Sequence, residues 1–202
     1  MRFITPIEKG KYYHIYNRGI NGENIFRNEE NYFFFLEKWS QYVSPVADTY
    51  AYCLLKNHFH FLIRVKEEDV YIDKDNKEKL VIPSQQFSNL FNSYAQSFNK
   101  VYERTGSLFE SPFRRKEVDN PSYFCHLIAY IHLNPERHKF VEDYKAYPYS
   151  SYQALLSSKN TKLRRDDVMR WFGEKDSFKK FHTSFKDLNR LKELASEEGY
   201  FS

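Results

Sequence analysis

Two histidines separated by one apolar residue, His58 and His60, sit in the run Lys56-Asn57-His58-Phe59-His60-Phe61-Leu62-Ile63-Arg64. The run is strand-like, and successive side chains of a strand point to opposite faces, so the two imidazoles share a face about 7 Å apart. At that spacing they can lean toward one divalent ion, while Phe59, Phe61, Ile63 and Val65 bury the other face. By itself a His-x-His pair more often marks half-buried structural histidines. The balance shifts with a second segment, Tyr123 to Pro135, which carries the other groups that metal-assisted phosphoryl transfer needs. There Phe124, Leu127, Ile128 and Ile131 follow the i, i+3, i+4, i+7 pattern of a helix packed on a core. Tyr130 and Asn134 are spaced i, i+4 along one flank of that stripe, with His126 one turn earlier. A phenol nucleophile and an oxygen ligand thus face the histidine strand together.

Three blocks stand in order along the chain: Tyr12-Tyr13-His14-Ile15-Tyr16-Asn17-Arg18-Gly19, Asn57-His58-Phe59-His60, and Tyr130-Ile131-His132-Leu133-Asn134-Pro135. In this combination the chain resembles the REP-associated tyrosine transposases, part of the wider class of HUH single-strand transposases named for their histidine-hydrophobic-histidine motif. The resemblance runs from about Lys11 to about Tyr152 and implies a ferredoxin-like catalytic domain that nicks and rejoins single-stranded or hairpin DNA. By the same resemblance His58, His60 and Asn134 correspond to the metal ligands, and Tyr130 to the catalytic tyrosine. Palindromic repeats, recognised as hairpins with short flanking sequence, are the implied substrate.

The residue types suit that chemistry. A phenol with an ordinary pKa of about 10 is a poor nucleophile at neutral pH, so its attack on a phosphodiester needs an activated electrophile. Two imidazoles and an amide oxygen, with positions left open for phosphate and water, suit Mg²⁺ or Mn²⁺, and Mn²⁺ matches imidazole better. His126 is a candidate to activate the tyrosine or to replace Asn134 as ligand, and Tyr123 is the second-choice nucleophile. Asn134 precedes a proline, which favours a place at the helix end and a competing role as a cap. Neither a Gly-x-x-x-x-Gly-Lys phosphate loop nor a Gly-x-Gly-x-x-Gly fingerprint occurs, in keeping with strand transfer that needs no nucleotide hydrolysis. Arg18, Arg114, Arg115 and Lys116 are the expected phosphate contacts.

Two other functions fit parts of the pattern. A non-catalytic RNA- or DNA-binding module would use a ferredoxin-like sheet with Tyr12 to Tyr16 as a stacking strand. A metal-dependent phosphodiesterase would use the same histidines with water as nucleophile. The formal charge of +4 and pI near 8.8 permit nucleic-acid binding without compelling it. Cys53 and Cys125 lack any ligand or redox spacing and read as thiols of a reducing cytoplasm. No apolar run reaches transmembrane length and the start lacks a signal-peptide core, so a cytoplasmic monomer or homodimer is expected.

The elements that must position these groups are legible in outline. Strands are expected over 11–17, 49–55, 58–65 and near 113–118, with helices over 29–42 (Asn28 as N-cap), 84–103 and the Tyr130 segment. The 66–79 stretch reads as a polar, charged connection. The order β-α-β-β-α-β-α predicts an α+β fold, a four-stranded antiparallel ferredoxin-like sheet with packed helices. Pro148 marks the expected boundary between a catalytic domain, 1–148, and a helical extension, 149–202, docked on the core. In that extension helices are expected at 150–156, 164–172 and 175–195, the last with a stripe of Phe178, Phe181, Phe185, Leu188 and Leu191 or Lys192.

Overall fold

The computed structural model describes residues 5–74 and 77–186. Its centre is a four-stranded sheet built from β1 (Tyr12–Arg18), β2 (Ala47–Leu55), β3 (His58–Val65) and β6 (Arg114–Val118) in the order β2-β3-β1-β6. Every pairing is antiparallel. Helix α1 (Glu29–Tyr42) lies between β1 and β2; α2 (Pro83–Val101) and α3 (Pro121–Arg137) flank β6 in sequence. This is the ferredoxin-like α+β plan. Asn28 caps α1 by accepting the Asn31 N–H, and Asn120 caps α3 by accepting the Tyr123 N–H.

Period-two patterning divides the sheet into two apolar faces. Tyr13, Ile15, Phe59, Phe61 and Ile63 pack under α1 and α2, where Trp39 stacks on Phe61 with centroids 3.5 Å apart. The opposite face sets Ala51, Cys53, Leu55 and Leu62 against Leu127, Ile128 and Ile131 of α3. That second cluster continues into α4 (Tyr152–Leu156), α5 (Arg165–Phe172) and α6 (Lys175–Lys186) through Tyr152, Leu155, Val168, Phe178 and Phe185. Leu188, Leu191 and Lys192 lie outside the described residues.

Two features differ from the expected outline. The charged stretch after β3 contains a short hairpin, β4 (Tyr71–Lys74) paired with β5 (Lys77–Leu80). Its strands are four residues long and mostly charged, so no buried face marks them in sequence. Helix α3 also does not end at Asn134 but carries Pro135 within it and continues to Arg137. Asn134 is therefore an interior helical residue and not a cap. Its Nδ2 donates to the Tyr130 carbonyl at 2.9 Å, one turn back.

Candidate active site

His58 and His60 leave β3 on the face that α3 covers, as their alternation requires. Register places His60 beside Tyr16 and His58 beside Arg18 on β1, with His14 one pair further along the same face. His14 Nε2 lies 3.1 Å from His60 Nδ1, and His58 Nδ1 lies 2.7 Å from Asn57 Oδ1. Both histidines of β3 thus engage a neighbour through Nδ1, the arrangement that fixes ring orientation when Nε2 serves a metal. The His14 partnership was not foreseen, although the His14-x-Tyr16 alternation on a neighbouring strand is its visible signal.

Helix α3 runs along this histidine row. The Tyr130 ring meets His60 edge-on at 5.8 Å and His14 at 6.4 Å, while two turns later His138 lies 4.8 Å from His58. Asn134 is the midpoint of that flank. Its amide orientation is fixed, because a carbonyl such as that of Tyr130 accepts and cannot donate. Asn134 Oδ1 is consequently turned away from the helix backbone, fully buried and accepting no hydrogen bond. A buried amide oxygen left in that state costs about 1–3 kcal/mol, which a cation ligand would offset.

Burial sets the protonation of the row. Desolvation, helped by the cation of Lys116, lowers the His14 pKa to about 3, and desolvation with Arg137 lowers His138 to about 4. His58 and His60 are held well below the ordinary imidazole value, first by desolvation and then by neighbouring positive groups. All are neutral at pH 7, the form in which imidazole donates a lone pair. Among the described residues no three His, Cys, Asp or Glu side chains are grouped to hold a metal ion. A metal here would rest on two imidazoles and the Asn134 oxygen, a mixed set that suits Mn²⁺ or Mg²⁺.

Tyr130 is only 1% exposed, and the Arg137 guanidinium lies over its ring 5.1 Å from the centroid. Arg137 was not anticipated from sequence; its place one turn past Asn134 is the signal. His126 stacks on Phe181 and Phe185 of α6 at 5.7 and 5.1 Å. Tyr123 carries the Lys116 ammonium over its ring at 4.7 Å.

Pairing with β1 splits the basic triplet. Arg114 and Lys116 stand opposite Tyr16 and His14 and share the histidine face, whereas Arg115 stands opposite Ile15 on the α2 side. The Arg18 and Arg114 guanidinia both bind the Glu110 carboxylate. Gly19, next to Arg18, is required sterically, since a Cβ there would come within 2.1 Å of the Glu23 carbonyl oxygen. Within the strand Tyr12 to Tyr16, Tyr13, His14, Ile15 and Tyr16 are buried, and the half-buried Tyr12 packs edge-on against Tyr50 and Phe124 at 5.3 Å.

A protein of Haemophilus influenzae whose name provisionally places it among the REP-associated tyrosine transposases is 28% identical over 108 residues, which span 52% of this chain and 58% of that protein. A solved REP-associated tyrosine transposase bound to a REP hairpin superposes with a TM-score of 0.56, covering 78% of this chain and 86% of its own, at 14% identity. The chain resembles the REP-associated tyrosine transposases in sequence and in fold. No protein-family model matches it. The structural likeness to that transposase concerns the fold, and the sequence match spans little more than half of the Haemophilus relative. Among the described residues no helix is long and apolar enough to cross a membrane.

Proposed function

We propose that this chain is a DNA-cleaving and strand-transferring enzyme of the tyrosine transposase type, acting on single-stranded or hairpin DNA through Tyr130. The observation that carries the reading is the convergence of Tyr130, His60, His58 and the buried Asn134 oxygen along one α3–β3 seam. In the proposed step the Tyr130 phenol oxygen forms a bond to the scissile phosphorus while the bond from phosphorus to the 3′-oxygen breaks. The phenol proton passes to a base and the departing 3′-oxygen takes up a proton, leaving a 5′-phosphotyrosine and a 3′-hydroxyl. Attack by a second 3′-hydroxyl reverses the step at a new junction, so the bond energy is conserved. His58, His60 and Asn134 would hold Mn²⁺ or Mg²⁺, which supplies Lewis-acid polarisation of the scissile phosphate when bound.

The remaining residues take supporting parts. His14 and Asn57 orient the two imidazoles through Nδ1, and the neutral state imposed by burial keeps both rings from repelling a cation. Arg114 and Lys116 share the histidine face and would grip phosphates beside it, while Arg18 does so in exchange for its bond to Glu110. Tyr130 is buried with the Arg137 guanidinium over its ring, which makes Arg137 a further cation for the phosphate that Tyr130 would attack.

The test is denaturing gel analysis of the wild-type chain and Tyr130→Phe with labelled hairpin-bearing single strands, in Mn²⁺ and in EDTA. The expected result is a protease-sensitive adduct that needs metal and is lost in the variant. Metal-dependent cleavage without an adduct would replace this reading with hydrolysis by water, and an adduct that survives Tyr130→Phe would move the nucleophile elsewhere.

A further inference from the structure

On the side of the sheet away from Tyr130, a cleft of about 470 Å³ opens between the polar face of α2 and the 107–113 segment. Helix α2 is divided sharply: Phe87, Leu90, Phe91, Tyr94 and Phe98 are buried, and Ser84, Gln85, Ser88 and Asn92 face the cleft. Glu110 and Arg115 are the charged residues among those lining it. Arg115 stacks over the Phe113 ring at 4.7 Å, and its Nε, although buried, donates to no acceptor. The cleft thus offers a flat aromatic and guanidinium platform and a wall of amides and hydroxyls able to donate and accept.

We propose that this cleft is a subsite for one unpaired nucleotide of the DNA, with its base between the Phe113/Arg115 platform and the hydroxyl and amide face of α2. The inference rests on the DNA-cleaving reading above and adds to it a place where sequence is read. Three observations favour a base over other ligands. The volume lies within the range of small-ligand sites. One guanidinium and one carboxylate make a poor trap for a run of phosphates but are compatible with a neutral ring bearing donors and acceptors. Finally, the cleft is contiguous with the catalytic face around the free edge of the sheet. Strand β6 is terminal, its Arg114 and Lys116 point to the histidine side and its Arg115 to the cleft side, and Glu110 both lines the cleft and binds Arg18 and Arg114. A single strand leaving the seam can therefore follow basic side chains around that edge into the cleft.

The test uses the full chain and fluorescence anisotropy with a hairpin carrying single-stranded flanks, chosen for binding from a pool with randomised flanks. Each flank position is then made abasic in turn. The wild-type protein is expected to lose roughly tenfold in affinity at one position, the scale of one stacked base. Ser88→Trp, which fills the cleft, and Arg115→Gln, which keeps most of the aliphatic stem but removes the guanidinium of the platform, should each reduce that single-position loss to less than twofold. Thermal unfolding of Arg115→Gln should match wild type, so a folding defect in the bulkier variant would not obscure the outcome. A flat abasic scan in the wild-type protein, or a loss retained in Arg115→Gln, would overturn the subsite while leaving the cleavage reading intact. Absence of any hairpin binding would instead overturn the cleavage reading and the subsite with it.

Discussion

Replacement of Asn134 by leucine should strengthen the metal-free protein while weakening its hold on metal. The substitution roughly conserves volume at a position with no solvent exposure. It removes the Nδ2 bond to the Tyr130 carbonyl, worth about 1 kcal/mol. Against this, it eliminates a buried oxygen that accepts no hydrogen bond, recovering about 1–3 kcal/mol, and adds apolar burial of about 1.5 kcal/mol. The sum is a gain of roughly 1.5–3.5 kcal/mol, or on the order of 5–10 °C in Tm for a chain of this size. Loss of one of three protein ligands should lower Mn²⁺ affinity by at least about tenfold, since even outer-sphere partners of a metal site are worth that much. Urea unfolding in EDTA and calorimetric Mn²⁺ titration measure the two effects separately. A variant destabilised by about 2 kcal/mol or more, with Mn²⁺ binding unchanged, would make Asn134 a structural residue and refute the argument.

Three other outcomes follow from the same structure. Ser151 accepts the Tyr52 N–H at 2.8 Å and lies 2.7 Å from His132 Nε2, so Ser151→Ala strands two buried groups and should cost about 2–4 kcal/mol, read from urea midpoints. Burial lowers the His182 pKa to about 4; the unfolded chain therefore binds protons first as pH falls, and stability should drop between about pH 6.5 and 4 by about 3 kcal/mol from this group alone. An unfolding free energy that stays flat across that window would show that the His132–His182 pair is not held neutral. Arg114→Gln combined with Lys116→Gln should reduce the slope of log affinity against log salt by about 1.4 for single-stranded DNA. An unchanged slope would remove both residues from the phosphate contacts.

What repeats locally could be read directly from the chain. Period two put His58 and His60 on one face, the i, i+4 spacing put Tyr130 and Asn134 on one flank, and alternating core residues set the β-α-β-β-α-β order, because these follow from backbone geometry within one element. The local rule against helix before proline misplaced Asn134. There the tertiary structure prevailed: Pro135 is buried within a helix packed along its length, and the Asn134 amide bonds back to the Tyr130 carbonyl. The tertiary structure alone decided which face of the sheet α3 would cover, and with it whether the histidines met Tyr130. It decided that His14 would brace His60, that Arg137 would lie over the Tyr130 ring, and that His138 would reach His58. It also separated Arg115 from its two neighbours, because alternation along a strand is visible in sequence but which side faces the site depends on the register of β6 against β1. Side chains far apart in the chain meet only when packing of the two apolar faces fixes the helices over the sheet, and no single segment encodes that placement.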